Sequence, residues 1–347
     1  MKTFLNSKPC LAPIPSPFSG EEAGGGEVKK TKHNFSEKIP PLSFTTYHNA
    51  KLLLSAEYLV LNGAKALAVP LRFGQRLQID ENESGFISWQ SIAHNGSEWF
   101  RGKYNTTDFS ILEGSNSDIA IHPQRLMKAA RILNPAFCAG SSGCHVISTL
   151  NYPLLWGLGS SSTLIAAVAV WAGIDPFKLH FEVSSGSGYD IACAISKGPL
   201  IYSLKDKIPH FEPVPFSPSF ADKIFFIYQG IKQDSAEGIK KYRKRNTEPE
   251  NNLIDAASQL TDRMLISVTL DEFEKVISEH EILISMLLDA PSIRETLFND
   301  LPGEVKSLGA WGGDFCMLTW REDPALLSTY LKSKGLETWF SFNDIVL

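Results

Sequence analysis

Pro153-Leu-Leu-Trp-Gly157-Leu-Gly159-Ser160-Ser161-Ser162-Thr163 runs without a break into the apolar stretch Leu164-Ile-Ala-Ala-Val-Ala-Val-Trp-Ala172. Glycine lets a backbone turn tightly and approach a ligand, and small hydroxyl residues suit the start of a helix, whose first N–H groups lack partners within it. The pattern predicts a turn that opens a buried helix. Peptide dipoles aligned along that helix place partial positive charge where its first amides point, so the turn is a nest for an anion such as phosphate. Upstream, Val146-Ile-Ser-Thr-Leu150 reads as a strand, which completes the strand–turn–helix setting of a nucleotide phosphate loop. No lysine follows Gly159, so the loop departs from the G-x-x-x-x-G-K-[ST] pattern. The charge of a bound triphosphate must then be met by a metal or by a lysine elsewhere in the chain. The ordinary alternative is a Gly/Ser turn ahead of a core helix.

Around this centre, 347 residues suffice for a substantial core divided between two lobes. A net charge of −5 argues against a general nucleic-acid binder. No apolar run is long enough to cross a bilayer and the N-terminus has no sustained apolar segment, so a soluble, cytoplasmic protein without a membrane partner is expected. Five scattered cysteines, Cys10, Cys138, Cys144, Cys193 and Cys316, suggest no disulfide framework, and Cys138, Cys144 and His145 match no tight zinc spacing.

Residues 1–42, rich in Pro, Gly, Ser and charge, are expected to form a disordered extension, followed by an N-terminal lobe over 43–221 and a C-terminal lobe over 222–347. In the first lobe, strands are expected at 44–47, 66–69 and 77–79, a hairpin over 86–109 turning at Asn95-Gly96, and a helix over 119–133 stopped by Asn134-Pro135. The second reads as a strand at 223–228, helices at 236–245, 252–267 and 270–288, a strand at 315–320, a helix at 325–334 and a last strand at 338–342. This alternation indicates an α+β domain.

Three more segments carry chemistry: Asn49-Ala-Lys51-Leu-Leu-Leu-Ser-Ala-Glu57-Tyr-Leu-Val-Leu-Asn-Gly63, Gly186-Ser187-Gly188-Tyr189-Asp190-Ile-Ala-Cys-Ala194 and Lys306-Ser-Leu-Gly309-Ala-Trp-Gly312-Gly313-Asp314-Phe. Together with the phosphate loop, close to P-x-x-x-G-L-G-S-S, they resemble the motifs of the small-molecule kinases named for galactokinase, homoserine kinase, mevalonate kinase and phosphomevalonate kinase (GHMP). The resemblance covers about 44–347. It departs from the family at His48-Asn49, where Pro-Gly is usual, at Ser55-Ala56, and at Trp311, where many relatives have glycine.

The resemblance implies a two-lobed α+β fold, with an α/β ATP-binding lobe and a ferredoxin-like C-terminal lobe, and ATP and Mg²⁺ as cofactors. It implies that Ser161 places its hydroxyl on Mg²⁺, with Ser160, Ser162 and the backbone of Gly157, Leu158 and Gly159 around the phosphates. Asp190 would engage the acceptor hydroxyl, and Lys51 would offset charge near the transferring group. Read by itself, Asp190 is an aspartate capping a helix that starts at Ile191, and it is the companion motifs that favour the chemical role. Glu57, Ser187, Gly309, Gly312 and Gly313 fall on the substrate side by the same resemblance, Lys232 and Ser235 become candidates for an anionic group of the acceptor, and Glu182 is the acidic residue nearest the position of a metal carboxylate. The run Lys240-Lys-Tyr-Arg-Lys-Arg245 reads as a solvated face from which one member could reach an anionic substrate. The expected activity is phosphorylation of a small metabolite, with mevalonate first, phosphomevalonate kinase or diphosphomevalonate decarboxylase as alternatives, and a catalytically silent nucleotide-binding regulator as the reading of another class. A homodimer is compatible with all of these.

Overall fold

Strand β1 (Ser43–Leu53) alternates exposed and half-buried residues at its start and is buried at its end. It pairs antiparallel with β2 (Ala66–Asn82), and the register slips between Asn49 and Lys51. A bulge bends its strand and re-aims the side chains beyond it; here that side chain is Lys51. The computed structural model describes residues 43–140, 142–231, 235–245, 251–309, 311 and 314–347, so the extension expected over 1–42 lies outside the described residues.

Where two short strands were expected, β2 runs unbroken through Pro70 and Gly74. Three neighbours share it: β1 along one edge, and on the other β7 against Ala66–Ala68 and β6 against Gln75–Asn82. Pro70 falls in the gap between those last two pairings, where a missing N–H costs least. The chain continues through β3 (Phe86–Ile92), β4 (Glu98–Asn105), β5 (Ile111–Gly114), α1 (Ser117–Leu133), β6 (Gly143–Leu150), α2 (Ser160–Ala172), α3 (Pro176–Val183), α4 (Tyr189–Ile195), β7 (Leu200–Lys205) and β8 (Ile208–Pro213). The sheet order is β5-β4-β3-β6-β2-β7-β8, with β1 on β2; only β3 and β6 run parallel. Leu77, Ile79, Trp89 and Val146 of the sheet pack with Leu126 of α1, Ile165 and Val168 of α2 and Leu179 of α3. The helix α2 is buried nearly all round, as its unbroken apolar run requires.

A second sheet follows, built from β9 (Ile224–Tyr228), α5 (Ser235–Arg245), α6 (Asn251–Ile266), α7 (Leu270–Leu288), α8 (Ile293–Thr296), β10 (Val305–Ser307), β11 (Phe315–Thr319), α9 (Pro324–Ser333), β12 (Trp339–Ser341) and α10 (Phe342–Ile345). Its order, β10-β11-β9-β12, is antiparallel throughout and is that of a ferredoxin-like β-α-β-β-α-β unit. Both faces are covered. Phe226 and Met317 pack with Leu260, Phe273 and Ile277 and with Leu52, Leu67 and Val69 of the first sheet, while Phe225, Ile227 and Leu318 pack with Ile293, Leu327 and Leu331. A strand buried on both sides needs no polar alternation, which explains the run Ile224-Phe-Phe-Ile. Among the described residues, no helix is long and apolar enough to cross a membrane.

Candidate active site

The loop expected to hold phosphate leaves β6, makes one 3-10 turn at Leu154–Trp156, and passes Gly157 (φ +68°) and Gly159 (φ +93°) before α2 begins at Ser160. Both glycines hold left-handed conformations that a side chain would strain. Each is also crowded. A methyl group on Gly159 would lie 3.2 Å from the Lys51 side chain, and one on Gly157 would fall 2.4 Å from the Asp314 carboxylate. Ser162 and Thr163 N–H groups donate to the Gly159 carbonyl, each at 3.0 Å, so the amides before them point beyond the helix end. Trp156 anchors the loop from behind, with its ring 5.5 Å from Phe73 of the first sheet and 6.0, 5.9 and 5.3 Å from Tyr228, Phe315 and Phe340 of the second.

Asp190 stands in the first turn of α4, which starts at Tyr189 behind Gly188 (φ +89°), rather than ahead of a helix starting at Ile191. Its Oδ2 accepts a hydrogen bond from the Ser162 hydroxyl, and its Oδ1 accepts one from the Ile191 N–H at 3.1 Å. One carboxylate is thereby fixed against the first turn of the phosphate-loop helix. Lys51 lies beside both: its backbone N–H donates to Leu158 O at 3.1 Å, its Nζ donates to Gly157 O at 3.2 Å, and the ammonium sits 5.6 Å from the centre of the Tyr189 ring. Burial by itself would lower the Lys51 pKa, but Tyr189, Asp190 and Asp314 together hold it above the usual lysine value. Burial also pushes the Tyr189 hydroxyl up to about 12.

Lys51, Asp190, the loop glycines and Ser160–Ser162 line one cleft of about 590 Å³. Glu57, Ser187 and Gly309 line it too. Glu57 also faces a buried cluster, in which its Oε1 accepts a hydrogen bond from Lys306 and its Oε2 lies 3.5 Å from Nε2 of His280. That nitrogen accepts from the Ala56 N–H at 2.8 Å, which makes His280 the neutral Nδ1–H tautomer. Glu281 completes the cluster, accepting from Ser307 N–H at 3.0 Å and from its hydroxyl at 3.2 Å.

No family model matches the chain, and no curated protein sequence matches it. Solved structures do match. Mevalonate kinase of L. major, in complex with R-mevalonate, superposes with a TM-score of 0.62 at 13% identity, over 88% of this chain and 98% of that one. Phosphomevalonate kinase of Streptococcus pneumoniae, in complex with phosphomevalonate and AMPPNP, gives 0.64 at 14% identity, over 86% and 99%. Galactokinase of Lactococcus lactis, complexed with galactose, gives 0.60 at 11% identity, over 86% and 92%. The chain has the fold of the GHMP kinases.

Within that GHMP fold the other residues singled out in the sequence are distributed unevenly. Glu182 is exposed on α3 and is not among the residues that line the cleft. The second acidic side chain beside the loop is instead Asp314, quoted in the third motif without a role of its own. Ser235 is the first residue of α5, whereas Lys232, Gly312 and Gly313 lie outside the described residues. Of the basic run, Arg243 donates to Ser185 O at 2.8 Å on the cleft rim, and Tyr242 packs its ring 5.2 Å from Tyr58 and donates to Asn62 at 2.8 Å. Trp311 packs on the apolar cluster that holds Ala56, Leu59 and Ile284. Lys306 was quoted in the third motif without a role of its own, and His280 was not singled out. The second was readable, because Phe273, Ile277, His280 and Ile284 share the apolar stripe of α7.

Proposed function

We propose that this protein is a GHMP-type phosphotransferase that moves the γ-phosphate of ATP to a hydroxyl of a small anionic metabolite, with mevalonate as the acceptor. One observation carries the reading: the Asp190 carboxylate is bonded to Ser162 in the first turn of the phosphate-loop helix, next to Lys51, inside a single cleft. The resemblance to mevalonate and phosphomevalonate kinases of known structure adds support for the acceptor class.

In this reading the amides of 157–161 hold the phosphates at the positive end of α2. Asp190, oriented by Ser162 and the Ile191 N–H, takes the proton of the acceptor hydroxyl as its oxygen attacks phosphorus, and Lys51 offsets charge on the transferring group. The donor set suits Mg²⁺. Among the described residues no three His, Cys, Asp or Glu side chains are arranged to hold a metal ion, so a cation here would rest on phosphate oxygens, water, the exposed Ser161 hydroxyl and at most one or two carboxylates, as magnesium prefers. Bound there, it would neutralise phosphate charge.

The test is ADP release with mevalonate, phosphomevalonate, homoserine and simple sugars, together with an Asp190→Asn variant. Mevalonate is expected to give turnover, and D190N to lower kcat by about 10²–10⁴-fold while nucleotide binding persists. Unchanged kcat in D190N, or carbon dioxide release in step with ADP, rejects the proposal.

A further inference from the structure

Asp314 has no place in the chemistry just described, yet it is a charged residue only 6% exposed, and it is held in a conformation (φ +53°) that few side chains adopt. Its backbone is clamped on both sides: its N–H donates to Ile231 O at 2.6 Å and its carbonyl accepts from Gln229 N–H at 2.8 Å. This clamp belongs to the second sheet, following β9 and preceding β11. The carboxylate it delivers reaches the other half of the molecule, so close to Gly157 that a methyl group there would lie 2.4 Å from Cγ and Oδ2. Gly157 is also the residue whose carbonyl takes the Lys51 ammonium at 3.2 Å. Lys51, Gly157 and Asp314 together border a void of about 10 Å³, no larger than one water.

Charge makes this arrangement consequential. Among the described residues lining the cleft, Lys51 is the only lysine or arginine. Its ammonium is flexible on a four-carbon stem, and a point charge serves a transferring phosphoryl group only if it is held in place. From the first half of the chain the Tyr189 ring and the Asp190 charge act on it. We propose that Asp314 is a positioning residue for the phosphotransfer proposed above: its carboxylate, brought from the second sheet onto Gly157, holds the Lys51 ammonium beneath the phosphate loop. Lys51 is thus shared between one carboxylate from each half of the molecule. The negative charge that Asp314 adds next to the loop also disfavours an uncomplexed triphosphate relative to a metal-complexed one, because like charges in a cleft of low dielectric repel.

The inference rests on the phosphotransferase reading for its effect on turnover but not for its geometry, and two measurements keep these apart. Asp314→Asn and Asp314→Gly both suit a positive φ, so both should fold with a melting temperature close to that of the parent. The first measurement is an NMR titration of the Lys51 Nζ in the ligand-free full-length protein, where both variants are expected to deprotonate at lower pH than the parent. An unchanged titration in both variants overturns the proposal, whether or not the protein turns over any substrate. The second is steady-state kinetics with mevalonate and Mg·ATP, where kcat is expected to fall roughly ten- to hundredfold while the acceptor KM moves less than about threefold. A loss confined to the acceptor KM, or unchanged kcat, also overturns it. A parent protein without any phosphotransfer, but with the titration shift present, counts against the proposed activity alone.

Discussion

Glu281 shows what burial does to one carboxyl group. Removal from water, reinforced by the neighbouring Glu57 and opposed by Lys306 and the Ser307 hydrogen bonds, pushes it up to about 8. Next to it, burial and the Lys306 charge hold His280 well below the usual histidine value. The signs oppose each other. Glu281 keeps its proton in the folded protein across the range in which a free glutamate has lost it, so its contribution is complete below about 4.5 and is lost as pH rises towards 8. His280 stays neutral where an unfolded histidine binds a proton, so its contribution is lost as pH falls below about 6.5. Glu281→Gln can still accept from the Ser307 N–H at its amide oxygen, its amide nitrogen can donate to the Ser307 hydroxyl instead of accepting from it, and it cannot ionise, so it should flatten the decline on the alkaline side; urea midpoints at pH 5 and pH 8 test this, and a parallel decline in both proteins would refute it. Single residues differ in how legible they are. Asp190 could be read because its partners follow from local motifs, whereas Lys306 finds Glu57 across 249 positions of sequence, and no spacing rule spans that distance.

Helix ends are where the elements were most legible. The third helix expected in the second lobe from its apolar spacing, over 270–288, coincides with α7, and the structure adds the capping box of Thr269 and Glu272 that fixes its start. β2 was misread for the opposite reason: Pro70 and Gly74 are breakers by local rules, and only strands from elsewhere in the chain make that stretch continuous. α7 also ends at a cost. Asp289 closes it with φ +49° and puts a carboxylate at the negative end of the helix. Asp289→Gly removes both penalties on an exposed position and should stabilise the protein by about 1 kcal/mol. Chemical denaturation is the measurement, and destabilisation by the substitution would contradict the account of this helix end.

At the scale of the whole molecule, the lobes suggested by composition and alternation are two sheets that share an apolar layer, in which Leu52, Leu67 and Val69 meet Phe226, Phe273 and Met317. A layer owned by both cannot be exposed by one alone, so heating should give a single cooperative transition in calorimetry, with calorimetric and van't Hoff enthalpies equal. Two resolved transitions would show that the halves unfold separately. The shared layer was invisible in sequence, since apolar positions in a strand do not reveal which sheet will cover them. Trp156 lies at the edge of this layer, keyed among rings from both sheets, immediately behind the turn proposed to receive the anion. A turn braced in this way has little disorder left to surrender when nucleotide arrives, so affinity can be high without many contacts, and loosening the aromatic seam should weaken nucleotide binding from a distance.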